Sequence, residues 1–184
     1  MNNLIKRLLQ ANLLTMYKFS IKTLLLCFFL IASNYTYAQV DFDKGLQEFD
    51  AKNYKQAFGI LKPYADKGNC LAQYVIGFSY QYGLSVATND SLARHWLLLA
   101  AEQKQPNAMG PLAFNLMSAS DEQPDYLIKA YMWAMLAAEY LPSQRMASTR
   151  YVIKGYLKPE QLDAANKLID EYKLKWKDKQ NCPQ

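Results

Sequence analysis

From Asp41 to Trp176 apolar residues recur at three- and four-residue intervals, the spacing of one face of a helix and not the alternation of a strand. The spacing predicts a helix over 41–51 carrying Phe42, Leu46 and Phe49, then, after Lys52 and Asn53, a second through Lys67 with Tyr54, Ala57, Phe58, Leu61 and Ala65. Gly68 sits where a left-handed C-cap is wanted. Pro63 should kink the second helix or break it near Leu61. The next helix, about 70–82, has Ala72, Ile76, Gly77 and Tyr80 as its packing seam. After a turn at Gly83, Asn89 is placed to cap a helix whose stripe is Ala93, Trp96, Leu97, Ala100 and Ala101. Asn107 is the expected cap of a helix through Leu116, with Pro111 in or just past its first turn. A polar loop over 118–125 leads to a helix from Tyr126 to Tyr140. Ser143 to Lys154 reads as a further helix stopped at Gly155. Pro159 opens the last helix, lined by Leu162, Ala165, Leu168, Ile169, Tyr172 and Trp176.

These elements repeat. Ala57, Ala93 and Ala130 are 36 and 37 residues apart, and Ala65, Ala101 and Ala138 keep the same step, as do Ile60, Trp96 and Trp133. A period of this length marks helix pairs that cannot bury their apolar faces alone and stack to do so. The expected architecture is all-α, an α/α solenoid of antiparallel pairs over 39–178. The pairs fall at about 41–68, 70–104 and 107–141, with capping helices at 143–176. The tail, 179–184, should fray, Asn181 to Gln184 above all.

The central unit resembles a known pattern. Ala72, Tyr74, Ile76, Gly77, Tyr80, Gly83 and Val86, followed by Ala93, Trp96, Ala100 and Ala101, are similar to the Sel1-like repeat, a relative of the tetratricopeptide repeat. In the next unit Ala108, Leu112 and Ala113 continue the pattern, while Gly110 and Leu116 replace its tyrosines. Ser85, Lys104 and Leu141 stand where the family has glycine. The resemblance covers roughly 41–172 and implies a superhelix whose first helices line a concave surface for a peptide, a protein or a cell-envelope component. Some secreted relatives carry a disulfide in each repeat and bind β-lactams. This chain lacks those paired cysteines, so that activity is not carried over.

Charge changes the picture once the N-terminal segment is considered. Leu24 to Ala32 is a short apolar run preceded by Lys18 and Lys22 and followed by Thr36-Tyr37-Ala38, the order of a secretory signal peptide. It is shorter than the ~20 apolar residues of a membrane span. Residues 1–38 are therefore expected to be a leader cleaved after Ala38, with Met16 as an alternative start, and the protein to be periplasmic or secreted with no membrane span after cleavage. Four of the 21 basic residues, and none of the 16 acidic ones, lie in that segment, so the remainder carries +1 and not +5. That balance argues against a nucleic-acid partner.

Candidate chemistry is sparse. His95, the one histidine, falls opposite the apolar stripe of its helix and should face solvent. The sequence holds no G-x-S-x-G, phosphate loop, H-E-x-x-H or C-x-x-C, so no cofactor or metal is expected and the chain reads as non-catalytic. The competing reading, a cell-wall-active or β-lactam- or peptidoglycan-binding enzyme-like protein, would draw on Asp121, Glu122 and Asp125. Cys70 and Cys182 remain after cleavage. Cys70 opens the first full unit and Cys182 lies past the last helix, about two stacked units or ~20 Å away, so two separate thiols are expected. For a partner surface, the positions not used by the 72–80 seam are Gln73, Ser79, Gln81 and Tyr82, with Met109 and Asn115 matching Gln73 and Ser79 one repeat on. Together they would form a shallow groove suited to protein recognition.

Overall fold

The computed structural model describes residues 39, 41–121, 123, 125–142 and 144–182. The expected leader and its cleavage site, Glu122 and the last two residues lie outside the described residues. The compact unit, Lys44–Gln184, is helical throughout its described part, with no strand. Its helices are the 44–50 part of α1 (41–50), then α2 (Tyr54–Asp66), α3 (Cys70–Tyr82), α4 (Asp90–Glu102), α5 (Pro106–Ser118), α6 (Tyr126–Tyr140), α7 (Gln144–Tyr156) and α8 (Pro159–Lys175).

Successive helices pack as antiparallel pairs, and α3 touches α5 as α5 touches α7, so the first helix of each pair lies beside the first helix of the next. Small residues set the spacing within pairs. Gly45 lies against Ile60 and Leu61 of α2, and Gly77 against Trp96 and Leu97 of α4, each too close for a β-carbon. The core runs on through Leu97, Met109, Leu112, Trp133 and Leu136 to Ile153 and Trp176. Trp133 is buried, its ring 5.1 Å from Tyr172 and 6.0 Å from Trp176. Trp96, expected to be an equal core anchor, is only half-buried, with the Lys62 ammonium 5.0 Å from its ring centre.

Several boundaries differ from expectation for local reasons. Pro63 and Pro111 both lie inside unbroken helices, so α2 does not break near Leu61. The cap of α5 is not Asn107 but Gln105, whose side chain accepts from the Asn107 amide at 3.1 Å, and Pro106 takes the first helical position, where no N–H is needed. Asn89 does cap α4, accepting from Leu92 at 2.9 Å. Helix α7 runs through Gly155 to Tyr156, because Gly155 keeps helical backbone geometry. Of the three residues at glycine positions, Ser85 (φ 70°) and Lys104 (φ 63°) do adopt the left-handed conformation, while Leu141 (φ −139°) does not. The left-handed region costs a non-glycine residue roughly 1–2 kcal/mol. At Lys104 this is offset by the ammonium, which donates to the carbonyls of Trp176 at 3.1 Å and Lys179 at 2.8 Å.

Those two bonds belong to the largest departure. Helices α7 and α8 do not form a further stacked hairpin; both pack on α6. Lys173 of α8 pairs with Glu139 of α6 at 2.6 Å, and Lys175 reaches Glu102 at the end of α4 at 2.5 Å. The chain leaving α8 then crosses the α4–α5 turn, where the Gln105 amide points to Cys182 Sγ, and arrives at the start of α3. Cys70 and Cys182, expected to be separate thiols, are joined in a disulfide with a Cα–Cα distance of 6.1 Å. The expected separation assumed that α8 adds a layer beyond α7; because α8 folds back on α6, no such layer intervenes. The tail through Cys182 is correspondingly not frayed, Cys182 being 6% exposed.

Candidate interaction surface

Four of the six residues expected to line a groove are inside the stack. Gln73 is buried, its amide donating to the Ala65 carbonyl at 3.3 Å and its carbonyl accepting from Gln103 at 2.8 Å. Ser79 is buried and donates to Val75 O at 2.8 Å. Met109 is fully enclosed, and buried Asn115 accepts from Arg94 at 2.9 Å and donates to Asp90 O at 3.2 Å. The reason is geometric. A first helix packs against its own partner and against helices of both adjacent units, so its buried face is wider than the four-residue seam. Gln81 is half-buried and donates to Pro111 O at 3.3 Å, tying α3 to α5. Tyr82, at 49% exposure, does face outward.

What accompanies Tyr82 is a row of rings. Tyr74, Phe78 and Tyr82 are four residues apart and share one side of α3. Phe78 lies 5.6 Å from Tyr74 and 4.4 Å from Tyr82, centre to centre, and 6.1 Å from Phe49 of α1. On α5 the repeat equivalent of Phe78 is Phe114, 48% exposed; on α7 it is Tyr151, 80% exposed. The sequence held the signal, since Phe78, Phe114 and Tyr151 keep the same step as the buried alanines. The buried positions of the repeat, taken alone, do not reveal it.

The electrostatics along the row are uneven. Neither α3 nor α5 contains a charged residue. Burial pushes the Tyr74 hydroxyl pKa up, and the charges of Tyr82 and Asp50 push it further; Asp50 closes α1 next to Phe49, whose ring meets Phe78 at the α1 end of the row. At the other end α7 carries exposed Arg150 and Lys154 and no acid.

Two clefts lie elsewhere. One of about 330 Å³ is lined by α4, α5 and α6, including Arg94, His95, Tyr126 and Lys129. Its cations are engaged: Arg94 donates to Asn115 and stacks 4.9 Å from the Tyr126 ring centre, and Lys129 pairs with Asp125 at 2.5 Å. The other, about 400 Å³, is lined by Met117, Ser120, Asp121, Leu127 and Tyr156. Of the three carboxylates considered for catalysis, Asp121 is exposed at this cleft, Asp125 is held by Lys129 and Glu122 is outside the described residues. His95 is exposed, as its helical phase requires. Among the described residues no group of three or more His, Cys, Asp or Glu side chains could hold a metal ion, and no helix is long and apolar enough to cross a membrane.

No family model matches the sequence, and no curated protein does. Among solved structures, the chain is similar to a protective antigen present in uropathogenic Escherichia coli strains and displaying an SLR (Sel1-like repeat) fold. The TM-score is 0.66 at 23% sequence identity, over 76% of this chain and 30% of that one. The chain thus spans less than a third of that protein's length. The likeness shows the fold, an α-solenoid of Sel1-like repeats, in keeping with the succession of helices in the described residues.

Proposed function

We propose that this chain is a non-catalytic interaction module of an exported protein, holding a protein or peptide partner against the side of α3 and α5 that bears Phe78, Tyr82 and Phe114. The observation that carries the reading is the exposure of Tyr82 and Phe114 on helices without a single charge, since large rings left half in water are what a partner covers with most gain. Export is supported by the leader-like order of residues 18–38 and by a disulfide, which persists in oxidising compartments. A cell-envelope partner follows from that location. The test is capture from periplasmic extract by the wild type and by a Phe78→Ala, Phe114→Ala variant of unchanged helicity. Loss of specific partners supports the surface, and undiminished capture moves it elsewhere. Mass spectrometry of the exported protein should find Gln39 at its N-terminus; an uncleaved chain in the membrane fraction refutes export as a cleaved protein.

A further inference from the structure

We infer that the occupant of the aromatic row is a charge-polarised segment in a polyproline-type extended conformation, about ten residues long, with a basic residue at the α1 end, an uncharged middle and an acidic residue at the α7 end. The inference rests on the surface proposed above and specifies its ligand.

Three features of the row lead to it. The first is pitch. The rings of Phe78, Phe114 and Tyr151 come one per first helix, and neighbouring packed helices are ~10 Å apart. A polyproline II segment has three residues per turn and rises about 3.1 Å per residue, so it presents the same face every ~9 Å, one turn per helix. The side chains at every third residue can then sit between successive rings, and aromatic-lined grooves of this kind favour a segment already extended before binding. Second is length: α1, α3, α5 and α7 lie side by side, joined by the Phe49–Phe78 ring contact, the Gln81–Pro111 hydrogen bond and the contact of α5 with α7. Three steps of ~10 Å span about 30 Å, which ten polyproline-type residues cover. Third is charge. At one end Asp50 closes α1 directly after Phe49, whose ring lies 6.1 Å from Phe78; at the other Arg150 and Lys154 are exposed on α7, and between them α3 and α5 offer no charge to satisfy. A charged residue in the middle of the occupant would lose water without gaining a partner. A uniformly acidic or basic occupant would be repelled at one end.

The test uses fluorescein-labelled twelve-residue peptides with a Pro-Leu-Pro-type middle, two lysines at one end and two glutamates at the other, in both chain directions, read by anisotropy on the oxidised protein. Controls replace the charged ends with Ser-Gly, or the middle with an alanine-rich helix-forming sequence. Exposed ion pairs contribute little each, so the better polarised peptide should bind about five-fold more tightly than its Ser-Gly counterpart. Arg150→Glu with Lys154→Glu should abolish that gain, and a photo-cross-linker at the glutamate end should label α7. Equal binding of the Ser-Gly peptide overturns the polarity and leaves the aromatic surface standing. Tighter binding of the helix-forming peptide overturns the extended conformation. If no peptide binds, or if Phe78→Ala with Phe114→Ala leaves binding unchanged, the surface itself is overturned.

Discussion

Replacing Gly77 by alanine should test the close approach of α3 to α4. An added β-carbon would stand 2.8 Å from Leu97 Cγ, 2.9 Å from Leu97 N and 3.1 Å from Trp96 Cβ. The Leu97 side chain could turn, but its backbone nitrogen is fixed in α4, so the two helices must separate by several tenths of an ångström along a pair that is otherwise sealed. Overpacking of this kind costs about 1–3 kcal/mol, against which alanine regains the ~1 kcal/mol that glycine forfeits inside a helix. The net expectation is a loss of up to about 2 kcal/mol. Gly59 supplies the control, being an exposed interior residue of α2 with nothing within 4 Å of the β-carbon it lacks. Gly59→Ala should therefore keep the propensity gain and stabilise by up to about 1 kcal/mol. Urea melts of the two variants, followed by far-ultraviolet circular dichroism, should separate them by about 1–3 kcal/mol, with Gly59→Ala the more stable. Equal stabilisation by both would mean that α3 and α4 are not in the contact described.

Three further outcomes are expected. Reducing the disulfide, or changing Cys182 to Ser, frees a loop of 112 residues and should cost about 4–5 kcal/mol on chain-entropy grounds; coincident urea transitions with and without reductant would contradict the bridge. Burial alone would raise the Glu102 pKa, but hydrogen bonds from Lys175 and Tyr172 and the charges of Lys175 and Lys179 outweigh it and hold the pKa below the usual range. Its contribution is therefore complete above the unfolded carboxylate pKa and lost as pH falls through the lower folded value, so Glu102→Gln should lose less stability than wild type between pH 5 and about pH 3, and identical acid profiles would deny Glu102 this role. Trp133→Ala should cost about 3–5 kcal/mol and His95→Ala stay within ±0.5 kcal/mol, the buried ring and the exposed one being read in the same denaturation assay.

How far the chain could be read from its letters depended on whether the deciding interaction was local. The helices and the repeat were legible, because periodicity, Asn89 and Gly83 act within a few residues of themselves. The wider buried face of α3 was not, since Gln73 and Ser79 look polar, yet Gln73 is satisfied by Ala65 O of α2 and by Gln103 at the end of α4, and Ser79 bonds back to Val75 O of its own helix. The row through Phe78 and Phe114 was legible in principle from the period. The return of the tail was not. It depends on α8 choosing α6, a contact set by Trp133, Tyr172 and Trp176 meeting in space, and on the Lys104 ammonium reaching carbonyls more than seventy residues away.

The bridge from Cys182 to Cys70 also bears on how such an array can change over generations. An open solenoid can gain or lose units by duplication or deletion, because each unit touches only its neighbours. Here the tail beyond Trp176 joins the start of α3 to the far end of the chain. One more helix pair between them would carry the two cysteines apart by a further ~10–20 Å. The six residues from Lys177 to Cys182, already spent in crossing the α4–α5 turn, reach only ~20 Å in all when fully extended. The tie therefore acts as a gauge of repeat number. A chain of this design with one unit more must either lengthen its tail by several residues or give up the bridge.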